Sequence, residues 1–306
     1  MASVLSKGSL FPAELTNEMF NLVKGKSSLA KLSGQKPIAF NGTELFTFNF
    51  DKEIDIVAEN GAKSNGGVTV APITIVPIKV EYGTRVSDEF KYGNEEVQLQ
   101  YLQAFAEGFA KKVARGIDLM AFHGVNPRTM SPSLIIGNNC FEKAVSQEVD
   151  ATANADADVE AAIALVQGND EDVTGMAMSP AFRSALAALT KTSGDKVFPE
   201  LGWGNAPATI NGLPVDVNST VSATLTSPAE NKNAAIVGNF ADYFRWGFAK
   251  QIPIEVIEYG NPDNDADAGD LKGHNQVYLR GEAYIGWGIL KPDAFARIIS
   301  EGEISG

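Results

Sequence analysis

The triplet Gly25-Lys26-Ser27 has the residue types that end a phosphate-binding loop, in which backbone N–H groups and a lysine hold nucleotide phosphates. Such a loop also needs a glycine five positions before Gly25, at the end of a buried strand. Phe20 stands at that position, and the apolar spacing over 12–23 predicts a helix. We therefore expect no nucleotide site here.

Alternating carboxylates form a second candidate for chemistry. Asp263, Asp265 and Asp267 have the spacing of the first ligands of a calcium loop. That loop needs glycine at its sixth position and glutamate at its twelfth, where this chain has Ala268 and His274. The stretch is predicted to be an acidic turn between two strands, with weak cation binding as the alternative.

Other catalytic arrangements are missing from the sequence. His123, His274 and Cys140 are the only residues of their types, and they are too few and too scattered for a zinc site. The chain contains neither a Gly-x-Ser-x-Gly elbow nor a dinucleotide-binding fingerprint. The sequence therefore predicts no cofactor and no enzyme activity. The three tryptophans are predicted to be core or interface anchors.

Charge is distributed unevenly along the 306 residues. The chain carries a net charge of −13, which argues against a nucleic-acid-binding surface over the whole fold. Residues 1–40 hold five lysines and two glutamates. This basic arm is either a solvated tail or a strap on an acidic neighbour, and the candidate contacts are Lys24, Lys26 and Lys31.

The chain is long enough to bury a sizeable core, because 44% of its residues are hydrophobic. A single cysteine allows no internal disulfide, which fits a reducing cytoplasm. No apolar run is long enough to cross a membrane.

Two alternating apolar stretches, 43–59 and 68–83, predict a long two-stranded ribbon with a turn at 60–67. Pro72 and Pro77 cannot donate to a ladder, so the second strand should be an edge or pair on one side only. A lone ribbon is barely stable in water and should pack on this chain or another. The predicted contact residues are Phe46, Phe48, Phe50, Ile73 and Ile75.

The stretch 94–123 predicts the longest helix, and thirty residues would span about 45 Å. Shorter helices are predicted at 155–167 and 178–194. A strand–turn–strand unit is predicted at 209–217, and further strands at 234–240, 243–259 and 275–290. This order lacks a regular βαβ rhythm and favours the α+β class.

The ordered segments together resemble the major capsid protein of tailed bacteriophages, the Hong Kong 97-type capsid fold. The resemblance extends in order over nearly the whole chain and is carried by "SSLAKL", "VSDEF", "AFHGVNP", "MSPAFRSALAAL", "INGLPVDV", "VGNFADYFRWG" and "NQVYLRGEAYIGWGILKPDAFARI".

The resemblance implies an N-terminal arm (1–40), an extended loop (41–83), a peripheral domain (84–150 and 255–306, with a spine helix at 94–123) and an axial domain (151–254). It further implies pentamers and hexamers of one polypeptide, which form an icosahedral shell around double-stranded DNA without sequence-specific binding. We expect the protein in the virion, assembled in the host bacterial cytoplasm, with no membrane contact.

Partner proteins are also implied. Because the arm starts at Met1, we expect a separate scaffolding protein. A portal protein and a decoration protein are further expected partners.

Some members of the family join their subunits by an isopeptide bond between a lysine and an asparagine, assisted by a glutamate. The matching positions here are Lys63, Asn275 and Glu282. Seven strand residues separate the last two by about 23 Å, so one chain cannot supply both to one bond. The alternative, which we favour, is a solvated lysine, a strand-starting asparagine and a structural salt bridge.

Two other functions stay open at this point. An encapsulin-type bacterial compartment shares the fold but houses enzymes, and the long ribbon and arm favour the phage form. A soluble α+β enzyme or binding protein is the more distant alternative.

Overall fold

The computed structural model describes residues 26–92, 95–226, 231–250 and 254–300. The arm helix predicted over 12–23, Lys24 and the first residue of the helix predicted at 94–123 lie outside these residues.

Three helices of the described residues agree with the predicted positions 94–123, 155–167 and 178–194, whereas the short helices at 28–32, 141–144 and 240–243 were not predicted. The helices are α1 Ser28–Leu32, α2 Glu95–His123, α3 Phe141–Ala144, α4 Ala155–Gln167, α5 Pro180–Ala188 and α6 Phe240–Tyr243. The Ser179 side chain caps α5 by accepting a hydrogen bond from the Phe182 N–H. The predicted extension of α5 towards Gly194 is wrong, because Leu189 adopts extended backbone angles and the chain turns back between Thr190 and Lys196.

The described part of the chain contains fourteen strands and four 3-10 helices, the latter at 88–92, 199–204, 272–274 and 292–294. The strands are β1 Thr43–Phe50, β2 Val68–Ile75, β3 Ile78–Ser87, β4 Val125–Asn126, β5 Ser131–Pro132, β6 Glu148–Asp150, β7 Gly175–Met178, β8 Thr209–Ile210, β9 Leu213–Val217, β10 Asn233–Gly238, β11 Phe244–Lys250, β12 Ile254–Ile257, β13 Gln276–Ile289 and β14 Phe295–Ile299. The predicted turn between β8 and β9 is formed by Asn211 and Gly212, both with positive φ.

Two larger sheets organise these strands. The first is mixed, with the order β6-β14-β10-β7-β9-β8. In the second, β13 is central, with β11 and β12 along one side and β3 along the other. Helix α2 packs against one face of this second sheet, where Phe109 lies over Gly281. One apolar cluster contains buried side chains of both sheets, and a second contains buried side chains of the first sheet together with α4 and α5.

The sheets cross the predicted domain boundaries. Strands β6 and β14, on the peripheral side of the predicted division, pair with each other, and β14 pairs with β10. Strand β11, on the axial side, pairs with β13. Sheet pairing therefore does not place a boundary at 150 or 254, and the division into peripheral and axial domains stays a prediction.

The ribbon is shorter than its sequence pattern indicates. Strands β1 and β2 pair antiparallel from Thr43–Ile75 to Phe50–Val68. Residues 51–59 are not in a strand, and the predicted second strand is divided at Val76 and Pro77. Because Pro77 has no N–H, the ladder ends there, and the chain then joins β13 as β3.

Candidate assembly surfaces

Residues 27–29 of the basic arm are held inside the protein by Asp118 of α2. This carboxylate accepts hydrogen bonds from the Ser27 hydroxyl at 2.5 Å and from the Ser28 and Leu29 N–H groups at 2.9 and 3.3 Å. The Thr220 hydroxyl and the Asn218 amide also donate to it, at 2.9 and 3.3 Å. Ser27, the last residue of the Gly-Lys-Ser triplet, is therefore a buried helix cap for α1.

Complete burial raises the pKa of the Asp118 carboxyl to about 6, although its hydrogen-bond donors oppose this shift. In the unfolded chain this group titrates near 3.8. Between pH 3.8 and pH 6 the Asp118 carboxyl is protonated in the folded state and ionised in the unfolded chain. Protonation of Asp118 therefore stabilises the folded state, and this stabilisation is complete below pH 3.8 and is lost as the pH rises through 6.

We therefore expect the free energy of unfolding of the native chain to rise relative to that of Asp118→Asn as the pH falls from 7 to 4. The gain is up to about 3 kcal/mol, from the difference between the two pKa values. Chemical denaturation of both proteins at each pH measures it. A constant difference across this range would contradict the prediction.

Contacts within the chain continue through α1 and the residues after it. Lys31 forms a salt bridge with Asp216 at 2.6 Å. The Lys36 N–H donates to the Trp246 carbonyl of β11 at 2.9 Å. Lys31, one of the lysines predicted to contact a neighbour, thus has an acidic partner in its own chain, whereas Lys26 is exposed. An intersubunit contact of either lysine stays a prediction.

The two faces of the ribbon have different environments. Register places Phe46, Phe48 and Phe50 opposite Pro72, Val70 and Val68, respectively, on one face. Phe46 and Phe50 expose 57% and 75% of their surface. This outward face of the ribbon is therefore apolar and exposed.

The opposite face of the ribbon packs on the protein itself. Ile75 is 2% exposed and lies against Gly286 and Gly288 of β13, and Ile73 is half-buried beside it. A Cβ atom on Gly288 would come within 2.9 Å of the Ile75 side chain. These glycines therefore allow the ribbon base to seat on the sheet. Ile75 contributes to this internal contact, and its predicted role between subunits has no exposed surface to support it.

The three cross-link candidates lie in different settings. Lys63 is exposed in the ribbon tip, and the described residues give it no hydrogen bond or salt bridge. Asn275 precedes β13 with a φ of 51°, and its carbonyl accepts from the Asp88 N–H at 2.9 Å. Glu282 lies 2.7 Å from Lys79 Nζ and 3.4 Å from Arg280 Nε. This ion-paired setting differs from the apolar one that a general base for amide formation requires.

Arg85 of β3 occupies the acidic loop at 262–270. It donates to both carboxylate oxygens of Asp263, at 2.6 and 2.8 Å, and to the Ala268 and Gly269 carbonyls. The Arg85 guanidinium lowers the pKa of Asp263 to about 2. Asp265 accepts from the Asp267 and Ala268 N–H groups. Over the described ranges, no group of three or more His, Cys, Asp or Glu side chains is arranged to hold a metal ion.

The three tryptophans, all predicted to be core or interface anchors, lie in different environments. Trp246 and Trp287 are buried in the core, at 0% and 1% exposure. Trp203 is fully exposed, with a φ of 56°, at a kink in the 3-10 helix Pro199–Gly204. A bulky residue in this strained conformation is a candidate contact point for another molecule, and no periodicity in the sequence could have identified it.

Comparison with known proteins gives these surfaces a family context. The sequence profile of the phage capsid family matches residues 7–298. The chain belongs to the phage capsid family. Comparison with curated protein sequences gives no significant match.

Solved structures of similar fold extend this result. A protein of Mycobacterium phage Ogopogo is 32% identical, with 90% of this chain and 92% of that chain covered and a TM-score of 0.74. A protein of Gordonia phage Cozz is 23% identical, with coverages of 90% and 87% and a TM-score of 0.73. The capsid of an empty GTA particle shares the fold at 13% identity, with 90% of each chain covered and a TM-score of 0.60.

Family membership confirms the predicted capsid resemblance and the mixed helix-and-sheet Hong Kong 97-type fold. The protein is a structural component of a phage head, and self-assembly into a shell follows from the family. None of the helices in the described ranges has the length and apolarity to cross a membrane.

Proposed function

We propose that this capsid protein assembles as pentamers and hexamers into an icosahedral head that encloses double-stranded DNA without sequence-specific binding. The observation that carries the proposal is the uncovered apolar face of the ribbon at Phe46 and Phe50. Large apolar side chains on a projecting hairpin gain stability when another copy covers them. Peripheral and axial domains, with the boundaries predicted above, would then meet neighbours around each capsomer.

Assembly in the host bacterial cytoplasm, with a separate scaffolding protein, a portal protein and a decoration protein, completes the proposal. The chain supplies the shell material, and its net charge of −13 is consistent with DNA held by confinement rather than by a basic surface. The expressed chain should form closed shells, alone or with its scaffolding protein, in negative-stain electron microscopy.

A substitution pair tests the role of the ribbon face. Phe46→Asp with Phe50→Asp should abolish shells, whereas Thr69→Asp, exposed on the opposite face of the same ribbon, should leave them intact. If the unsubstituted chain stays monomeric both alone and with its scaffolding protein, the proposed function is refuted.

We expect the mature shell to be free of isopeptide cross-links at Lys63, Asn275 and Glu282. The salt bridge between Glu282 and Lys79 supports this expectation, because it holds the carboxylate in an ionic pair. Boiled particles should give a single monomer band on SDS gels. A ladder of covalent oligomers that disappears in Lys63→Arg would contradict it.

A further inference from the structure

Four Asn-Gly pairs occur in the sequence, and three of them lie in or beside the ribbon. They are Asn41–Gly42, Asn60–Gly61, Asn65–Gly66 and Asn211–Gly212. In such a pair the backbone nitrogen of the glycine can attack the side-chain amide carbon of the asparagine, because glycine has no Cβ atom to block the approach. The reaction in a folded protein requires a free nitrogen and a backbone that can adopt the attacking geometry.

Hydrogen bonds restrain two of these glycine nitrogens. The Gly42 N–H donates to the Ala39 carbonyl at 2.9 Å, and the Gly61 N–H donates to the Ala58 carbonyl at 2.8 Å. Attack by either nitrogen therefore first requires its turn to open, which makes both pairs slow to react.

The pair between β8 and β9 is restrained by its turn. Asn211 and Gly212 have φ values of 50° and 87°, and strand pairing continues directly on both sides, from Ile210 to Leu213. This tight hairpin needs the left-handed backbone at Asn211. Ring closure would take Asn211 out of that conformation and would break the hairpin, so this pair should also react slowly.

The pair Asn65–Gly66 lies in the ribbon tip, residues 51–67, and has neither restraint. Both residues are exposed and lie outside helices and strands. Within the part of the chain that the structure describes, the Gly66 N–H makes no hydrogen bond, whereas the next amide, that of Gly67, donates to the Asp51 carboxylate at 2.6 Å. The attacking nitrogen is therefore free, in backbone that can rotate.

Lys52 gives this pair a further feature. Its Nζ donates to the Asn65 carbonyl oxygen at 3.2 Å, and that carbonyl belongs to the same amide as the Gly66 nitrogen. A positive charge at this oxygen stabilises the negative charge that the amide acquires when it loses its proton, and the deprotonated amide is the nucleophile. The other charged group beside the pair, Asp51, is held by the Gly67 N–H.

We propose that Asn65–Gly66 is a site of spontaneous covalent modification in the ribbon tip, and that Lys52 promotes the reaction. The Gly66 amide gives its proton to solvent, and its nitrogen forms a bond to Cγ of Asn65. The Cγ–Nδ2 bond breaks, and Nδ2 takes a proton from solvent and leaves as ammonia, which yields a cyclic succinimide. Water then opens the ring at either carbonyl and leaves aspartate or isoaspartate at position 65. Water is the only co-reactant, and nothing is oxidised or reduced.

The product changes the ribbon tip in two ways. A carboxylate replaces a neutral amide, so each conversion adds one negative charge to a segment, 51–63, that already has four carboxylates and two lysines. In isoaspartate the main chain also passes through Cβ, which lengthens it just before β2. This chemistry belongs to the folded chain and does not depend on the proposed assembly.

Peptide mapping by mass spectrometry tests the assignment. The purified full chain is incubated at mildly alkaline pH and digested at acidic pH, and fragmentation locates the mass change from an amide NH₂ to an OH. We expect Asn65 to convert at least tenfold faster than Asn41, Asn60 and Asn211, and faster still as the pH rises, because the deprotonated amide attacks. Equal rates at the four pairs, or a faster rate at another pair, would overturn the proposal.

A glycine substitution tests the ring-closure route. A Cβ atom on Gly66 would meet only Asp51 Oδ1, at 3.4 Å, so Gly66→Ala should keep the fold of the tip. The added Cβ atom hinders the attack, and conversion at Asn65 should slow at least tenfold. An unchanged rate would mean direct hydrolysis of the side-chain amide and would overturn the route through the succinimide.

A pair of lysine variants tests the role of Lys52. Lys52→Met should slow conversion at Asn65 at least twofold. Lys63→Met is the matched control, because Lys63 is exposed in the same tip and does not contact the Asn65 carbonyl. Its rate should equal that of the native chain. Equal rates in Lys52→Met and Lys63→Met would overturn the role of Lys52.

Discussion

Asp118→Ala should destabilise the folded protein by about 2 to 4 kcal/mol at pH 7. The substitution removes the acceptor of five hydrogen bonds and leaves donors from Ser27, Ser28, Leu29, Asn218 and Thr220 without it. Part of this cost is offset, because the alanine variant no longer buries an ionised carboxylate. Urea denaturation at pH 7 measures the difference.

Two control variants separate this network from a general loss of charge. Glu160→Ala on the exposed surface of α4 should change stability by less than about 0.5 kcal/mol. Asp118→Asn keeps the shape and one acceptor oxygen, so its effect should lie between the two. An alanine variant as stable as the native chain would show that the N-terminal segment is held by apolar packing alone.

The sequence could predict that Asp118 lies near the core, but not that it binds the N-terminal segment. Asp118 lies between Ile117 and Leu119 in an amphipathic helix, which indicates a carboxylate near a buried face. Its partner Ser27 is 91 residues away, and no periodic pattern links the two. The sequence therefore predicted the basic arm to be a solvated tail or a strap on an acidic neighbour, whereas residues 27–38 of the arm form hydrogen bonds with α2 and β11 of their own chain.

Local signals predicted the elements better than their pairing. The four-residue and three-residue apolar spacing of α2 and the Asn-Gly turn before β9 depend on neighbours along the chain, and both are present. Parallel pairing of β7 with β9 and of β14 with β6 depends on contacts distant in sequence. Because those contacts are set by packing, the alternating pattern of each strand does not specify its neighbour.

The glycines of β13 indicate a close contact that the alternation of apolar residues along the strand does not predict. In β13, Gly286 and Gly288 share one face, and Trp287 points to the other. Glycines in a strand interior weaken it unless something approaches closely, and here Ile75 and Ile38 do so. The pattern could have predicted a docking surface on this strand, although the identity of the docked ribbon base required the structure.

Gly247→Ala should displace the segment that runs beside β11. A Cβ atom on Gly247 would lie well inside van der Waals contact with the Lys36 carbonyl oxygen, which is backbone and cannot move alone. The segment would lose the hydrogen bonds from the Lys36 and Ile38 N–H groups and the burial of Ile38, which is 7% exposed. The expected loss of stability is about 3 to 4 kcal/mol.

Hydrogen exchange measures this displacement directly, because the Lys36 and Ile38 amides should exchange at least a hundredfold faster in Gly247→Ala. Gly34→Ala is the matched control, since a Cβ atom on Gly34 has no atom within 4 Å and its segment should stay in place. Slow exchange at both amides in Gly247→Ala would mean that β11 is displaced and that the segment with Lys36 and Ile38 stays in place. If the segment is released, residues 26–42 become accessible to protease while the β13 sheet stays protected, because β3 and β12 still pair with that strand.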